Sequence, residues 1–165
     1  MPIEWIRSPG QMGRDLNPEK ILGGPFRNFL NKSTILLQSY IRENTPVDRG
    51  QARQSIHTKI SDTQIPTWGC VASNLARVRH LNYGTGSLSV APSKVGDWEF
   101  PTGEQLNTWA KRHGFSSGAI VAAIITKRGG LRPRGFFEDG FARAKPIIVI
   151  RYLADLVSEI KRAFG

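Results

Sequence analysis

Thr45-Pro46-Val47-Asp48-Arg49-Gly50-Gln51-Ala52-Arg53-Gln54-Ser55-Ile56 is the stretch where this chain changes from one kind of structure to another. A proline pushes the residue before it out of the helical region, so a helix arriving from upstream must stop at Pro46. The Asp48 side chain can accept from the backbone two residues on, and Gly50 supplies a permissive backbone; the centre of the stretch therefore reads as a turn. Past Gly50 the pattern moves toward alternation through Ser55, Ile56, His57, Thr58, Lys59 and Ile60, the period of a strand.

Upstream, residues 25–44 read as the first helix. Pro25 suits a first helical turn, where a missing N–H costs nothing. Phe26, Phe29, Leu30, Leu37, Tyr40 and Ile41 recur at helical spacing, with Lys32, Gln38, Arg42 and Glu43 on the other side. Residues 1–24 contain Pro2, Pro9, Gly10, Gly13, Pro18, Gly23 and Gly24 and have poor periodicity. They read as an extended arm with at most a helical turn over 18–22, and Ile3, Trp5 and Ile6 would anchor it against a neighbour.

Downstream, Ser55–Ile60 and Thr67–Ser73 form a predicted antiparallel hairpin. Cys70, the only cysteine, sits in the apolar run Trp68–Ala72 and is expected to be buried filler. Residues 74–83 are ambiguous: Leu75, Val78 and Leu81 sit at helical spacing among Arg77, Arg79 and His80. Tyr83-Gly84-Thr85-Gly86 then breaks the chain. Ser87–Gly103 is a long Gly-, Pro- and Ser-rich loop, the kind a compact domain keeps for contacts. Thr102 is expected to cap a second helix whose inner face is Leu106, Trp109 and Ala110, closed by Gly114. A third helix over 119–128 is apolar nearly all round and should be well buried. Leu131–Phe137 reads as extended. The last helix, from about Glu138 to Ala163, should be divided or kinked by Pro146, with Val149, Leu153, Leu156, Ile160 and Phe164 on one stripe.

The expected fold is α+β: an N-terminal helix, a β-hairpin or small antiparallel sheet, two short helices, and a long C-terminal helix packed on the sheet. An arm over residues 1–24 precedes a single domain over 25–165. At 165 residues the chain is large enough to bury roughly two thirds of its unfolded surface without disulfides or a metal. Its longest apolar run, Ala119–Ile125, is too short to span a bilayer, and the N-terminus has no basic region followed by an apolar core.

The chemistry-bearing residues do not cluster as an active site requires. His57, His80 and His113 lie far apart with no partner at metal-ligand spacing. There is neither a Gly-x-Ser-x-Gly elbow nor a phosphate-binding P-loop, and the pairs Glu138/Asp139 and Asp97/Glu99 do not build the acid cluster of a magnesium nuclease. The reading is therefore not an enzyme, with no catalytic residue, no metal site and no cofactor. Charge is the unusual quantity: 23 Lys and Arg against 13 Asp and Glu give a net charge of +10. Such a balance favours nucleic acid or an acidic partner, although a solvated basic surface would look the same. Lys127, Arg128, Arg132 and Arg134 fall within eight residues that contain no acid, and Arg77 and Arg79 form a second, smaller group. These six are the candidate DNA- or partner-contacting residues. No aromatic is interleaved for base stacking, and no helix-turn-helix or zinc-finger spacing appears.

Three stretches in order carry a resemblance. They are Thr45-Pro46-Val47-Asp48-x-Gly50 continuing to Ser55, Tyr83-Gly84-Thr85, and Arg132-Pro133 with Phe136 ahead of the final helix. A Trp-containing helix with Trp109 and a helix ending in Lys127-Arg128-Gly129 stand between the last two. Over residues 25–163 this order resembles the neck and tail-completion proteins of long-tailed bacteriophages, with Ala52 where a leucine is usual. The resemblance implies a structural, non-enzymatic virion protein at the head–tail junction, made in the host cytoplasm. It implies a homo-oligomeric ring of about six or twelve subunits, in the way cyclic assemblies close. Portal, adaptor or head-closure proteins would lie on one side, a tail terminator or tail tube protein on the other, and genomic DNA in the lumen, with no membrane. The Ser87–Pro101 loop and the arm are the expected ring contacts. The alternative is a non-specific nucleic-acid-binding protein acting outside a virion.

Overall fold

A computed structural model of the chain describes residues 18–89 and 101–164. Their order is helix α1 (Pro18–Asn44), the short helix α2 (Gln51–Gln54), strands β1 (Ile56–Ile60) and β2 (Gly69–Ser73), helix α3 (Ala76–Tyr83) and a 3-10 turn at Gly86–Leu88. After residue 100 come α4 (Gly103–Arg112), α5 (Gly118–Lys127) and a C-terminal helix in three parts: α6 (Phe136–Ile147), a π-helical segment (Ile148–Tyr152) and α7 (Leu153–Phe164). The class is α+β, mostly helical around one two-stranded antiparallel sheet, as expected. The arm over residues 1–17 and most of the long loop, residues 90–100, lie outside the described residues.

The described chain forms two compact units. The first holds residues 18–43, 56–72 and 140–164. Its α1 begins at Pro18, not Pro25, and Pro25 lies inside it. Gly23, Gly24 and Pro25 looked like a breaker, but Gly23 is there for contact: a Cβ at that position would stand 2.5 Å from the Gln64 carbonyl oxygen. The hairpin loop thus lies against the first turns of α1, and Arg27 donates to the Thr63 carbonyl at 3.0 Å. At the other end, Gln38 and Arg42 both donate to the Ile56 carbonyl, at 2.8 and 2.7 Å. Ile41 and Ile56 are fully buried. The C-terminal helix runs against α1 in the opposite sense. Gly140 lets its backbone reach Ile41, Arg143 pairs with Glu43 at 3.0 Å and lies over the Tyr40 ring, and Glu159 reaches Lys32.

Two expectations fail in this unit, and a third, the division of the last helix at Pro146, holds just after the proline. Cys70 is exposed, because a two-stranded ribbon leaves one face uncovered and β2 turns Cys70 to that side. Pro146 lies inside α6 without ending it; the irregularity falls just after, where the Leu153 N–H donates to the Ile148 carbonyl in the wide π pattern. The expected stripe also breaks up. Leu156 is buried, while Val149, Leu153 and Phe164 are exposed, joined by Ile150 at 75% exposure.

The second unit holds residues 44–55 and 73–139. Its centre is the α4–α5 hairpin, with Ala110, Val121 and Ile125 packed against Leu106, Trp109 and Leu131. Gly103 and Gly118 bring the two helices into backbone contact, where a side chain at either would overlap the other helix. Thr102 caps α4 as expected, in a capping box with Gln105. Gly114 (φ 79°) closes it, and Phe115 N–H returns to the Ala110 carbonyl. The third expected helix forms as α5, but it is not buried all round: Ile120 and Ile124 are 45% and 37% exposed. Only the Val121–Ile125 face meets α4, because a ten-residue helix in a two-helix hairpin has one neighbour.

Candidate functional site

Residues 45–55 of the joint lie in the second unit, and their chemistry is different from turn chemistry alone. Gly50 adopts φ 72°, which only glycine reaches without strain, and it starts α2 rather than a strand. The Gln54 N–H closes that single turn on the Gly50 carbonyl, and β1 begins only at Ile56. Asp48 bonds no backbone group two residues on. Arg112 grips its carboxylate with both Nη atoms, at 2.5 and 2.6 Å, and His113 Nε2 lies 3.7 Å away. The hydrogen bonds from the Arg112 guanidinium hold the Asp48 carboxyl below its ordinary range against the opposing effect of burial, with the Arg112 charge and His113 adding to the lowering. Trp109 stacks on His113 with ring centres 4.1 Å apart. Thr45 is buried, and its carbonyl accepts from Arg53. Ser55 meets Ser73 across the base of the hairpin, Oγ to Oγ at 2.7 Å. Pro46 is half-buried and Val47 exposed at the surface of this turn.

The Tyr83-Gly84-Thr85 turn and the Arg132-Pro133 segment, far apart in sequence, are one piece of structure. The Thr85 N–H donates to the Leu131 carbonyl at 3.0 Å, and Thr85 Oγ1 accepts from the Leu131 N–H at 2.9 Å. The Arg134 N–H bonds the Leu81 and Asn82 carbonyls, and the Gly135 N–H bonds Asn82. Gly84 (φ 78°) lets Leu131 and Pro133 come close: a Cβ there would stand 2.5 Å from the Leu131 carbonyl oxygen and 3.0 Å from the proline ring. Gly130 (φ 130°) lies directly against the Thr85 carbonyl. Ser87 adds a bond to the Gly129 carbonyl.

Asn82 is the residue that sequence reading missed. It is 1% exposed and makes three side-chain bonds. Its Nδ2 donates to both Glu138 carboxylate oxygens, at 3.2 and 2.9 Å, and its Oδ1 accepts from the Phe137 N–H. The amide thus fixes the first turn of α6, next to fully buried Phe136. The only hint in the sequence was its place directly before Tyr83-Gly84-Thr85.

The six candidate contact residues divide. Lys127, Arg128, Arg132 and Arg134 are exposed on and after the C-terminal cap of α5. Arg132 and Arg134 line an open groove with Asn44, Leu81, Leu131 and Pro133. Arg77 and Arg79 belong to α3 and are engaged elsewhere. Arg77 donates to Gln51 Oε1, and Arg79 lies by half-buried His80, whose pKa is lowered by burial and then by the Arg79 charge. Among the described residues no three His, Cys, Asp or Glu side chains converge as metal ligands would. No described helix is long and apolar enough to cross a membrane. No protein-family model, curated protein or solved structure matches the chain.

Proposed function

We propose that the chain is a structural, non-catalytic subunit of the head–tail interface of a long-tailed bacteriophage. In this reading it is a neck or tail-completion protein whose ring joins the head connector to the tail tube and lets DNA pass. The observation that carries the reading is convergence. Thr45–Ser55, Tyr83–Gly86 and Lys127–Phe137, the stretches on which the resemblance rests, all belong to one compact unit. The last two are stitched together through Thr85 and Leu131. Motifs that form one structural device behave as an ordered family signature should. Exposed apolar side chains add support. Ile150, Leu153 and Val157 on the C-terminal helix, and Ile120 and Ile124 on α5, give each unit an exposed apolar surface. Rings with head-to-tail contacts need unlike complementary faces.

In that role the subunits meet copies of themselves, a portal-side adaptor or closure protein and a tail-side terminator or tube protein, within the virion. Electron microscopy of the purified full chain, alone and with a tail tube protein, tests this directly. Closed rings of one symmetry are expected; a chain that stays monomeric in both samples overturns the reading. A second reading, a non-specific nucleic-acid-binding protein outside a virion, is favoured by the uncovered cations of the 127–134 turn. Salt-sensitive DNA binding by a chain that never assembles would select it.

A further inference from the structure

Several cations of this protein have a partner within the chain. Arg27, Arg42 and Arg53 donate to carbonyls, Arg77 to Gln51, Arg112 to Asp48 and Arg143 to Glu43, while Lys32 faces Glu159. Lys127, Arg128, Arg132 and Arg134 are exposed cations close together in sequence, and among the described residues none of them makes an ion pair, side-chain hydrogen bond or ring contact. The nearest acid in sequence, Glu138, is turned to Asn82. The groove that Arg132 and Arg134 line contains no acid. Four like charges gathered without compensation repel one another, so the arrangement is relieved by an anion from outside.

The backbone carrying them is fixed. Leu131, Arg134 and Gly135 are each tied to the Leu81–Thr85 turn, and Pro133 abuts Gly84. Arg132 and Arg134 line one groove on either side of Pro133, and Lys127 and Arg128 stand at the end of α5. From Lys127 to Arg134 the exposed residues include no large apolar side chain. Protein interfaces are centred on buried apolar or aromatic anchors and are poor in lysine, whereas phosphate backbones are held by Arg and Lys without any.

We infer that Lys127, Arg128, Arg132 and Arg134 form a preorganised site for the phosphodiester backbone of a nucleic-acid duplex, read without regard to base sequence. Arg77 and Arg79 are not part of it. The site does not depend on ring assembly and would act in a subunit of a ring or in the free chain.

The test is fluorescence anisotropy with a mixed-sequence DNA duplex and the full chain, across a salt series. Four phosphate contacts predict that log affinity falls against log salt with a slope of magnitude about 3.6. Arg132→Glu with Arg134→Glu should weaken binding at least tenfold at low salt. Arg132→Gln with Arg134→Gln, which adds no acid, should reduce the slope by about 2. Arg77→Gln should leave both quantities near wild type. A wild-type slope near zero overturns the inference. So does unchanged binding by the Gln pair with a native circular-dichroism melt, or equal binding of a polyglutamate peptide in place of the duplex. Electron microscopy separates the two proposals: Arg-to-Glu chains that form rings but have lost DNA binding keep both, while salt-sensitive DNA binding by a wild-type chain that forms no rings keeps only the site.

Discussion

In the first unit the chain is held by apolar surfaces at close backbone approach: Gly140 against Ile41, Gly69 against Thr34 and Leu30, with Ile41, Ile56, Ala144 and Leu156 buried. The second has its own apolar core in Val78, Ala110, Val121, Ile125 and Phe136, and buried polar groups tie its turns together. Thr45, Asn82 and Thr85 are all under 3% exposed, and two of them tie the 81–85 turn to the 131–138 segment. Apolar packing is tolerant in detail, since neighbouring side chains can repack. A buried amide or hydroxyl is not, since every lost partner leaves a group without water or protein to bond. In the second unit single substitutions at Asn82 or Thr85 should therefore be costly. The first unit leaves more apolar surface in solvent, including Phe141, Val149, Ile150, Leu153, Val157 and Phe164.

A pair of glycines gives the largest test of that contrast. Gly130→Ala puts a methyl against the Thr85 carbonyl at φ 130°, so strain and overlap together should cost about 3 kcal/mol or more. Gly24→Ala, in α1 with open space around it, should instead stabilise by about 0.5–1 kcal/mol. Urea unfolding with residue-resolved hydrogen exchange checks both. Loss of protection confined to residues 73–139 in the first variant is expected, and a uniform loss across both units would erase the distinction. Next in size is Asn82→Ala, which strips partners from the Phe137 N–H and the Glu138 carboxylate and should cost about 2 kcal/mol. A cost below that of an ordinary surface change would mean the network is not what holds the turn.

The smallest effect is acid sensitivity. The Asp48 carboxyl lies below its ordinary value of 3.8 because Arg112 binds the charged form. A lowered folded value means stability that is full above the unfolded value and fades as pH falls through the folded one. His80, held below 6.5 by burial and the Arg79 charge, acts in the same direction: the unfolded state takes up its proton first as pH drops. Stability should thus decline on acidification, in the range set by His80 and again in that set by Asp48. Arg112→Gln should return the Asp48 carboxyl toward its ordinary value in a carbon-detected NMR titration; an unmoved titration would remove Arg112 as the cause.

Much of the fold was legible because it rests on local rules. Pro46 stopping α1, the Thr102 cap, the Gly114 stop and the alternation of β1 are all decided within a few residues. What could not be read depended on distant partners. Gly23 looked like a breaker because Gln64, its reason for being glycine, lies far along the chain. Asp48 looked like a turn residue because Arg112 was not yet beside it. Ile120 and Ile124 promised a buried helix, but a helix wheel cannot say how many neighbours will arrive. For the site, the basic stretch was plain in the sequence; that four of its six candidates are uncompensated and two are engaged was not.

The π segment at Ile148–Tyr152 has a consequence for phase. On an unbroken α-helix, Ala144 and Leu156 would point about 120° apart, because each residue turns the helix by about 100°. One extra residue taken up in a wide turn brings that angle down to about 20°. Both side chains are in fact buried. The segment works as a phase corrector, letting a helix with Pro146 in its middle keep a single inward meridian from Gly140 to Leu156. Removing one residue there would turn the wide turn into an ordinary α-helical one and leave everything after it in phase, whereas a deletion elsewhere in the helix would rotate everything after it by about 100°.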